Sequence, residues 1–263
     1  MDLGISDKVA IVSAGSEGLG RATALRLARE GARVVICSRH EEKLYAAAEA
    51  ITAATGASVL AVPADVTRPE DIERVVQRSV EEVGPPAILV NNTGGPPSGQ
   101  VLSFSDEQWQ SAFDLVFFSA LRFTRLVIPY MRTAEWGRIV NITSVTVKQP
   151  IDTLVLSNAA RAAVVAFMKT LAGDVAKDGI TVNSVGPAPT ATNRMIELIE
   201  AGAKQRGISL EESRAAWTAA IPMGRIGQPG ELADVVAFLC SENAGFITGV
   251  FIPVDGGQTR AVV

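Results

Sequence analysis

The chain reads as a single α/β domain, a doubly wound parallel sheet of about seven strands with helices on both faces. Three observations predict this. Short β-branched runs recur along the whole length and are apolar at consecutive positions, as strands covered on both faces must be. Longer stretches with apolar residues at helical spacing stand between them. No linker, repeat or shift of composition divides the 263 residues, of which 48 % are hydrophobic and 20 % charged.

The elements follow in order. The first strand is expected over 9–12, and a Gly-rich turn leads from it into a helix over 19–30, stopped at Gly31. A strand over 33–37 precedes a helix over 41–54. A strand over 58–62 precedes a helix over 69–82, which opens on Pro69, a residue suited to a first helical turn. The fourth strand, 88–90, leads to a long helix over 106–132 with Ser105 as its cap. A strand over 138–142 is followed by a helix over 157–177, where Val164, Phe167, Met168, Leu171 and Val175 share a face. After the sixth strand, 181–185, comes a polar excursion over 189–229, helical in pattern around 194–204 and 210–220. A helix over 230–239 and a strand over 251–254 close the order. Such alternation implies right-handed crossovers. A long excursion at the carboxyl edge of a sheet reads as a substrate lid, with a subunit-contact arm as the alternative.

Composition excludes several functions. The net charge of −4 gives no basic footprint for nucleic acid. No apolar run follows a basic start at the N-terminus, and no stretch of about 18 apolar residues is present, so no membrane role is expected. The two cysteines, Cys37 and Cys240, do not suggest a disulfide framework, and a reducing, cytoplasmic location is expected. The single histidine, His40, has no Cys or His cluster around it in the sequence, so no metal site is expected. With one His and two Tyr, the usual acid–base side chains are scarce.

The first strand runs into Ser13-Ala14-Gly15-Ser16-Glu17-Gly18-Leu19-Gly20 and then a helix. Glycines at such a junction let the backbone approach a pyrophosphate, which sits on the free N–H groups of the helix N-terminus. The spacing differs from G-x-G-x-x-G and resembles the T-G-x-x-x-G-x-G turn of the short-chain dehydrogenases/reductases. Ala14 stands where that family has its first glycine.

The resemblance extends over nearly the whole chain and implies a Rossmann fold. Asp65-Val66 resembles the family's acidic contact to the adenine amine, and Asn91-Asn92-Thr93-Gly94 its N-N-A-G turn. Gly137 to Ser144 resembles the fifth strand and catalytic serine. Val182-Asn183 with Pro187 and Thr192 resembles the turn over the nicotinamide. Pro222-Met223-Gly224-Arg225 and the segment from Ile247 to Gly257 are similar to the C-terminal part of bacterial ketoacyl reductases. After the second strand, an acidic residue would bind the ribose 2′-hydroxyl of NAD(H), and a basic one the 2′-phosphate of NADP(H). Ser38 and Arg39 stand there, which favours NADP(H), although Glu17 opposes it if it faces that phosphate. Alternatively, Arg39 pairs with Glu41 or Glu42.

The catalytic positions depart from the resemblance. Ser144 matches the family's serine. Ser157 occupies the tyrosine position, Arg161 the lysine position and Val116 the asparagine position. A serine hydroxyl is a very weak acid and an arginine stays charged, so neither takes over directly as proton donor. Tyr45 and Tyr130 lie in other helices. Loss of general-acid catalysis costs about 10²–10⁴ in rate, which slows hydride transfer without abolishing it. Lys148 is a candidate substitute donor or anion-binding group, with an exposed loop lysine as the alternative. Ser157 and Asn158 are candidates to hold a substrate carbonyl, although Ser157 equally suits a helix cap.

Three readings result. The first is an NADP(H)-dependent oxidoreductase acting on a small carbonyl or hydroxyl substrate by a non-standard proton route. The second is a catalytically silent NADP(H)-binding sensor or partner subunit, and the third a lyase or isomerase on the same scaffold. The resemblance also implies a homotetramer.

Overall fold

The computed structural model describes residues 1–261, leaving Val262 and Val263 outside. Seven parallel strands form one sheet: β1 Val9–Ser13, β2 Arg33–Ser38, β3 Val59–Pro63, β4 Pro86–Asn91, β5 Gly137–Ile142, β6 Ile180–Pro187 and β7 Phe251–Val254. Their spatial order is β3-β2-β1-β4-β5-β6-β7. Strands therefore run outward in both directions from β1 and β4. The crevice beyond the carboxyl ends of these two strands is where an open α/β sheet of this order binds ligands.

Both faces of the sheet are covered, and the period of two along each strand shows how. Ala10, Val12, Val34, Ile36, Ile88 and Val90 face one core. Val9, Ile11, Val35, Cys37 and Leu89 face the other. The first core is closed by helices α1 (Gly18–Arg29), α2 (Glu41–Thr55) and α9 (Pro229–Leu239), through side chains such as Leu27, Leu44 and Val236. The second is closed by α3 (Pro69–Glu82), α5 (Ser119–Thr133) and α6 (Val155–Val175), through Ile72, Phe123 and Met168. By length and composition α6 would suit a membrane, but its buried face, from Leu156 and Ala160 to Val175, packs against the sheet.

The helix expected over 106–132 is broken in pitch rather than in direction. It comprises α4 (Asp106–Phe113), a π-helical segment Asp114–Phe118, and α5. Such a segment inserts one extra residue into the turn, which apolar spacing alone does not reveal. Ser105 begins it as expected, its backbone N–H donating to Gln108 Oε1 at 2.9 Å. The excursion between β6 and β7 holds α7 (Asn193–Arg206) and α8 (Leu210–Thr218).

Candidate active site

The Gly-rich turn is built for close approach. A Cβ on Gly15 would stand 2.8 Å from the Ile36 side chain, and one on Gly20 would strike the carbonyl oxygen of Ala14. Gly18 has φ +54°. Ala14 takes φ +48°, a left-handed conformation that costs a non-glycine residue about 1–2 kcal/mol. Ala14 thus holds a backbone shape that glycine adopts without strain. Asn92 holds that shape from β4, its Nδ2 donating to the Ser13 and Ala14 carbonyls at 3.3 Å. Ser13 Oγ in turn donates to Asn92 O at 2.7 Å. These bonds tie the ends of β1 and β4 together at the crevice. No side chain caps α1, so the N–H groups of its first turn are left for a ligand.

A cavity of about 440 Å³ opens from this turn. Ser16, Glu17, Gly18, Leu19, Asn92, Gly94, Pro187 and Thr192 line it. Ser144, Ser157 and Arg161 line the same cavity. Ser144, past the end of β5, accepts the Thr146 backbone N–H on its Oγ at 3.1 Å. Ser157 is not the cap of α6, because the helix begins two residues earlier. Instead Ser157 Oγ accepts the Nε–H of Arg161, one helical turn on, at 3.1 Å. The two hydroxyls are alike in this respect. Each already receives an N–H, so each keeps its own proton to donate.

Arg161 is 8 % exposed. Besides Ser157 it donates to Ile142 O at 3.1 Å and Gly94 O at 3.5 Å. All three partners are neutral, and among the described residues no carboxylate is ion-paired with it. Burial pushes its pKa down to about 10, so it remains a cation at neutral pH. Arg161 and Val116 also line a separate void of about 10 Å³, the space of roughly one water molecule. Buried Asn91 Oδ1, at the edge of this void, has no hydrogen-bond partner.

Other expected residues lie outside the cavity lining. Asn158 Nδ2 donates to Ile151 O at 2.9 Å, fixing the approach to α6. Lys148 is exposed, with its Nζ 5.9 Å from the Phe251 ring centroid. Ser38, Arg39, Asp65 and Val66 stand at the ends of β2 and β3. Ser38 Oγ is buried without a partner, a hydroxyl left for a ligand. Arg39 is exposed and forms no ion pair with Glu41 or Glu42. Asp65 Oδ1 accepts the N–H and hydroxyl of Thr67 at 2.9 and 2.8 Å. Glu17 pairs with Lys43 at 3.1 Å and accepts from Asn193 Nδ2 at 3.1 Å, joining the Gly-rich turn to α7. The cysteines offer no thiolate: burial pushes both Cys37 and Cys240 up to about 12.

Two features were not anticipated. Ile151, Leu154, Met195, Leu198 and Trp217 also line the cavity. An asparagine ladder also crosses the sheet. Asn91 donates to Asn141 Oδ1 at 2.9 Å, Asn141 to Asn183 O at 3.0 Å, and Asn183 to Ile247 O at 2.8 Å. The signal available in the sequence was an asparagine inside each of three strands that are largely buried.

The fold, the cradle at the β1–β4 switch point and the paired hydroxyls define a dinucleotide-binding α/β protein. The comparisons with known proteins agree. A family model described as enoyl-(acyl carrier protein) reductase matches residues 13–259. The 3-oxoacyl-(acyl-carrier-protein) reductase FabG of Pseudomonas aeruginosa is 33 % identical over 256 residues, covering 97 % of this chain and 99 % of the relative. FabG of Escherichia coli is 35 % identical over 251 residues, covering 95 % and 97 %. L-sorbose reductase from Gluconobacter frateurii, complexed with NADPH and L-sorbose, superposes with a TM-score of 0.96 at 35 % identity, covering both chains fully. An actinorhodin polyketide ketoreductase variant with NADPH gives 0.92 at 34 % identity, covering 97 % and 98 %. The chain belongs to the short-chain dehydrogenase/reductase family.

Proposed function

We propose that this chain is an NADP(H)-dependent reductase of a small carbonyl substrate, and that Ser157 and Arg161 serve in place of a tyrosine and a lysine. The observation that carries the reading is the bond from Arg161 Nε–H to Ser157 Oγ beside Ser144 in one cavity. Held along the Gly-rich turn at Ser16, Gly18 and Leu19, NADPH would supply the hydride that a carbonyl carbon accepts as its C=O electron pair moves onto oxygen. Ser144 and Ser157 each donate a hydroxyl hydrogen bond to that oxygen and stabilise its growing negative charge. The Arg161 cation, in a site largely shielded from water, strengthens the Ser157 donor. Solvent supplies the final proton: Ser157 gives its own to the alkoxide and regains one from water. Neither serine nor arginine ionises near neutrality, so no general acid of matched pKa takes part.

The NADP(H) assignment is supported by the steric cradle at Gly15 and Gly20, the unpartnered Ser38 Oγ beside Arg39, and the NADPH complexes of the structural neighbours. Residues 189–229 act as a lid on a single domain spanning 1–263, latched to the coenzyme turn by the Glu17–Asn193 contact. Assembly as a cytoplasmic homotetramer belongs to the same reading. A silent NADP(H)-binding protein is the second reading, favoured by the missing tyrosine and lysine. NADPH consumption across a panel of carbonyl compounds, with NADPH binding measured on the same protein, separates the two. Consumption supports the reductase, and binding without any consumption overturns it.

A further inference from the structure

Arg161 is a buried charge without a counter-charge. It stands in the second turn of α6 and is the one cation among the described residues that line the cavity. Its contacts to Ser157 Oγ, Ile142 O and Gly94 O are all with neutral groups, and they use three of the five N–H groups of a guanidinium. Two N–H groups remain for a ligand. Burial alone moves its pKa, down to about 10, and no carboxylate pulls it back up. The lining carboxylates are engaged elsewhere. Glu17 is held by Lys43 and Asn193, and Glu197 has an interaction of its own. The first turn of α6 carries no acidic residue and no side-chain cap, so the positive end of its dipole is uncompensated too. A cation kept out of water is strongly disfavoured until an anion pairs with it.

We infer that Arg161 receives a carboxylate of the substrate, and that the substrate is a 2-oxo acid or the matching 2-hydroxy acid. This rests on the reductase reading and specifies its substrate class. The planar guanidinium fork matches a carboxylate, and charge-assisted bonds of this kind are about twice as strong as neutral ones. Arg161 Nε lies 3.1 Å from Ser157 Oγ, so an oxygen held by Ser157 and an anion held by Arg161 are close neighbours. A carboxylate on the carbon next to the carbonyl meets that separation. The 2-oxo acid takes a hydride from NADPH and a proton from solvent, and leaves as the 2-hydroxy acid beside NADP⁺. The anion supplies the missing counter-charge, and the same arginine orients the carbonyl toward Ser157 and Ser144.

Calorimetric binding to the NADP⁺-loaded protein, which has no hydride to transfer, tests this without turnover. The probes are pyruvate, its uncharged isostere pyruvamide, and 4-oxopentanoate, whose carboxylate stands further from the carbonyl. The expected result is pyruvate binding at least about tenfold tighter than either of the others. In Arg161→Gln the ratio of pyruvate to pyruvamide affinity falls to about one, and in Arg161→Lys, which keeps the charge without the fork, it is intermediate. NADP⁺ binding by each variant confirms that it folds, and the comparison within the native protein needs no variant. Undetectable pyruvate binding, pyruvamide or 4-oxopentanoate binding as tightly as pyruvate, or a ratio unchanged in Arg161→Gln overturns the inference. NADPH oxidation measured with the same compounds keeps the two claims apart. Turnover of uncharged carbonyls with no preference for pyruvate sinks the carboxylate site and leaves the reductase standing. Arg161-dependent pyruvate binding with no turnover of any carbonyl sinks the reductase alone.

Discussion

Arg161 Nε–H donates to Ser157 Oγ at 3.1 Å, and so a buried cation holds a hydroxyl that lines the same cavity as Ser144. The two residues are coupled by this contact. A lysine ammonium has no planar fork with which to donate along the helix while also reaching the Ile142 and Gly94 carbonyls. Replacing Ser157 by alanine removes one of two donors to the substrate oxygen. The expected outcome is a fall in kcat of about 10²–10³ with NADPH affinity within about twofold. Steady-state kinetics together with NADPH titration check both.

The pH dependence should differ from that of an enzyme whose tyrosine titrates in the active site. Burial lowers the Arg161 pKa to about 10, below its value in the unfolded chain. Between those two values the unfolded state binds more protons, so this group's contribution to stability rises with pH there. Below about pH 9 the group is charged in both states and contributes no slope. A kcat profile flat from about pH 6 to 9 is expected, falling at higher pH as Arg161 loses its charge. A rise or fall centred near neutrality would point to a different proton donor.

The Gly-rich turn tolerates alanine at position 14 and not at position 20. A Cβ on Gly20 meets the Ala14 carbonyl oxygen and stands 2.7 Å from Asn92 Nδ2. Gly20→Ala therefore forces the β1–α1 turn away from β4. NADPH affinity should drop by at least about tenfold, with a lowered Tm; unchanged fluorescence titration would show that the turn does not hold the coenzyme.

Glu17, in the Gly-rich turn, engages Lys43 in an exposed pair, and its charge would oppose a coenzyme 2′-phosphate that it faced. Glu17→Gln removes the repulsion and frees Lys43. The preference for NADPH over NADH should rise about 2–5-fold, with stability altered by less than about 1 kcal/mol. Paired titrations with the two coenzymes measure it, and a lowered preference would place the Glu17 carboxylate away from the phosphate.

The nucleotide half was legible in the sequence because backbone constraints leave local marks. Glycines 15, 18 and 20 announce a close approach, and alternation of apolar runs announces the sheet. The helix over 69–82 agrees to the residue with Pro69–Glu82, since Pro69 marks its start. The π-helical segment at Asp114–Phe118 left no such mark, because one inserted residue does not disturb a broad apolar stripe. Ser157 was ambiguous for a similar reason: a serine near a helix start suits a cap as well as a site. Two non-capping residues at the start of α6, and an arginine one turn further on, decided the matter in three dimensions. The apolar part of the cavity lining was hidden because Ile151 and Leu154 stand far along the chain from Trp217, and only folding brings them together.

The most direct test of the account compares NADPH oxidation by the native chain, Ser157→Ala and the double substitution Ser157→Tyr/Arg161→Lys, each with its NADPH affinity measured. The account predicts that the native chain reduces a small carbonyl compound and that Ser157→Ala loses most of that rate while binding NADPH as before. A native chain that binds NADPH and reduces nothing, alongside a double variant that gains activity, would contradict it.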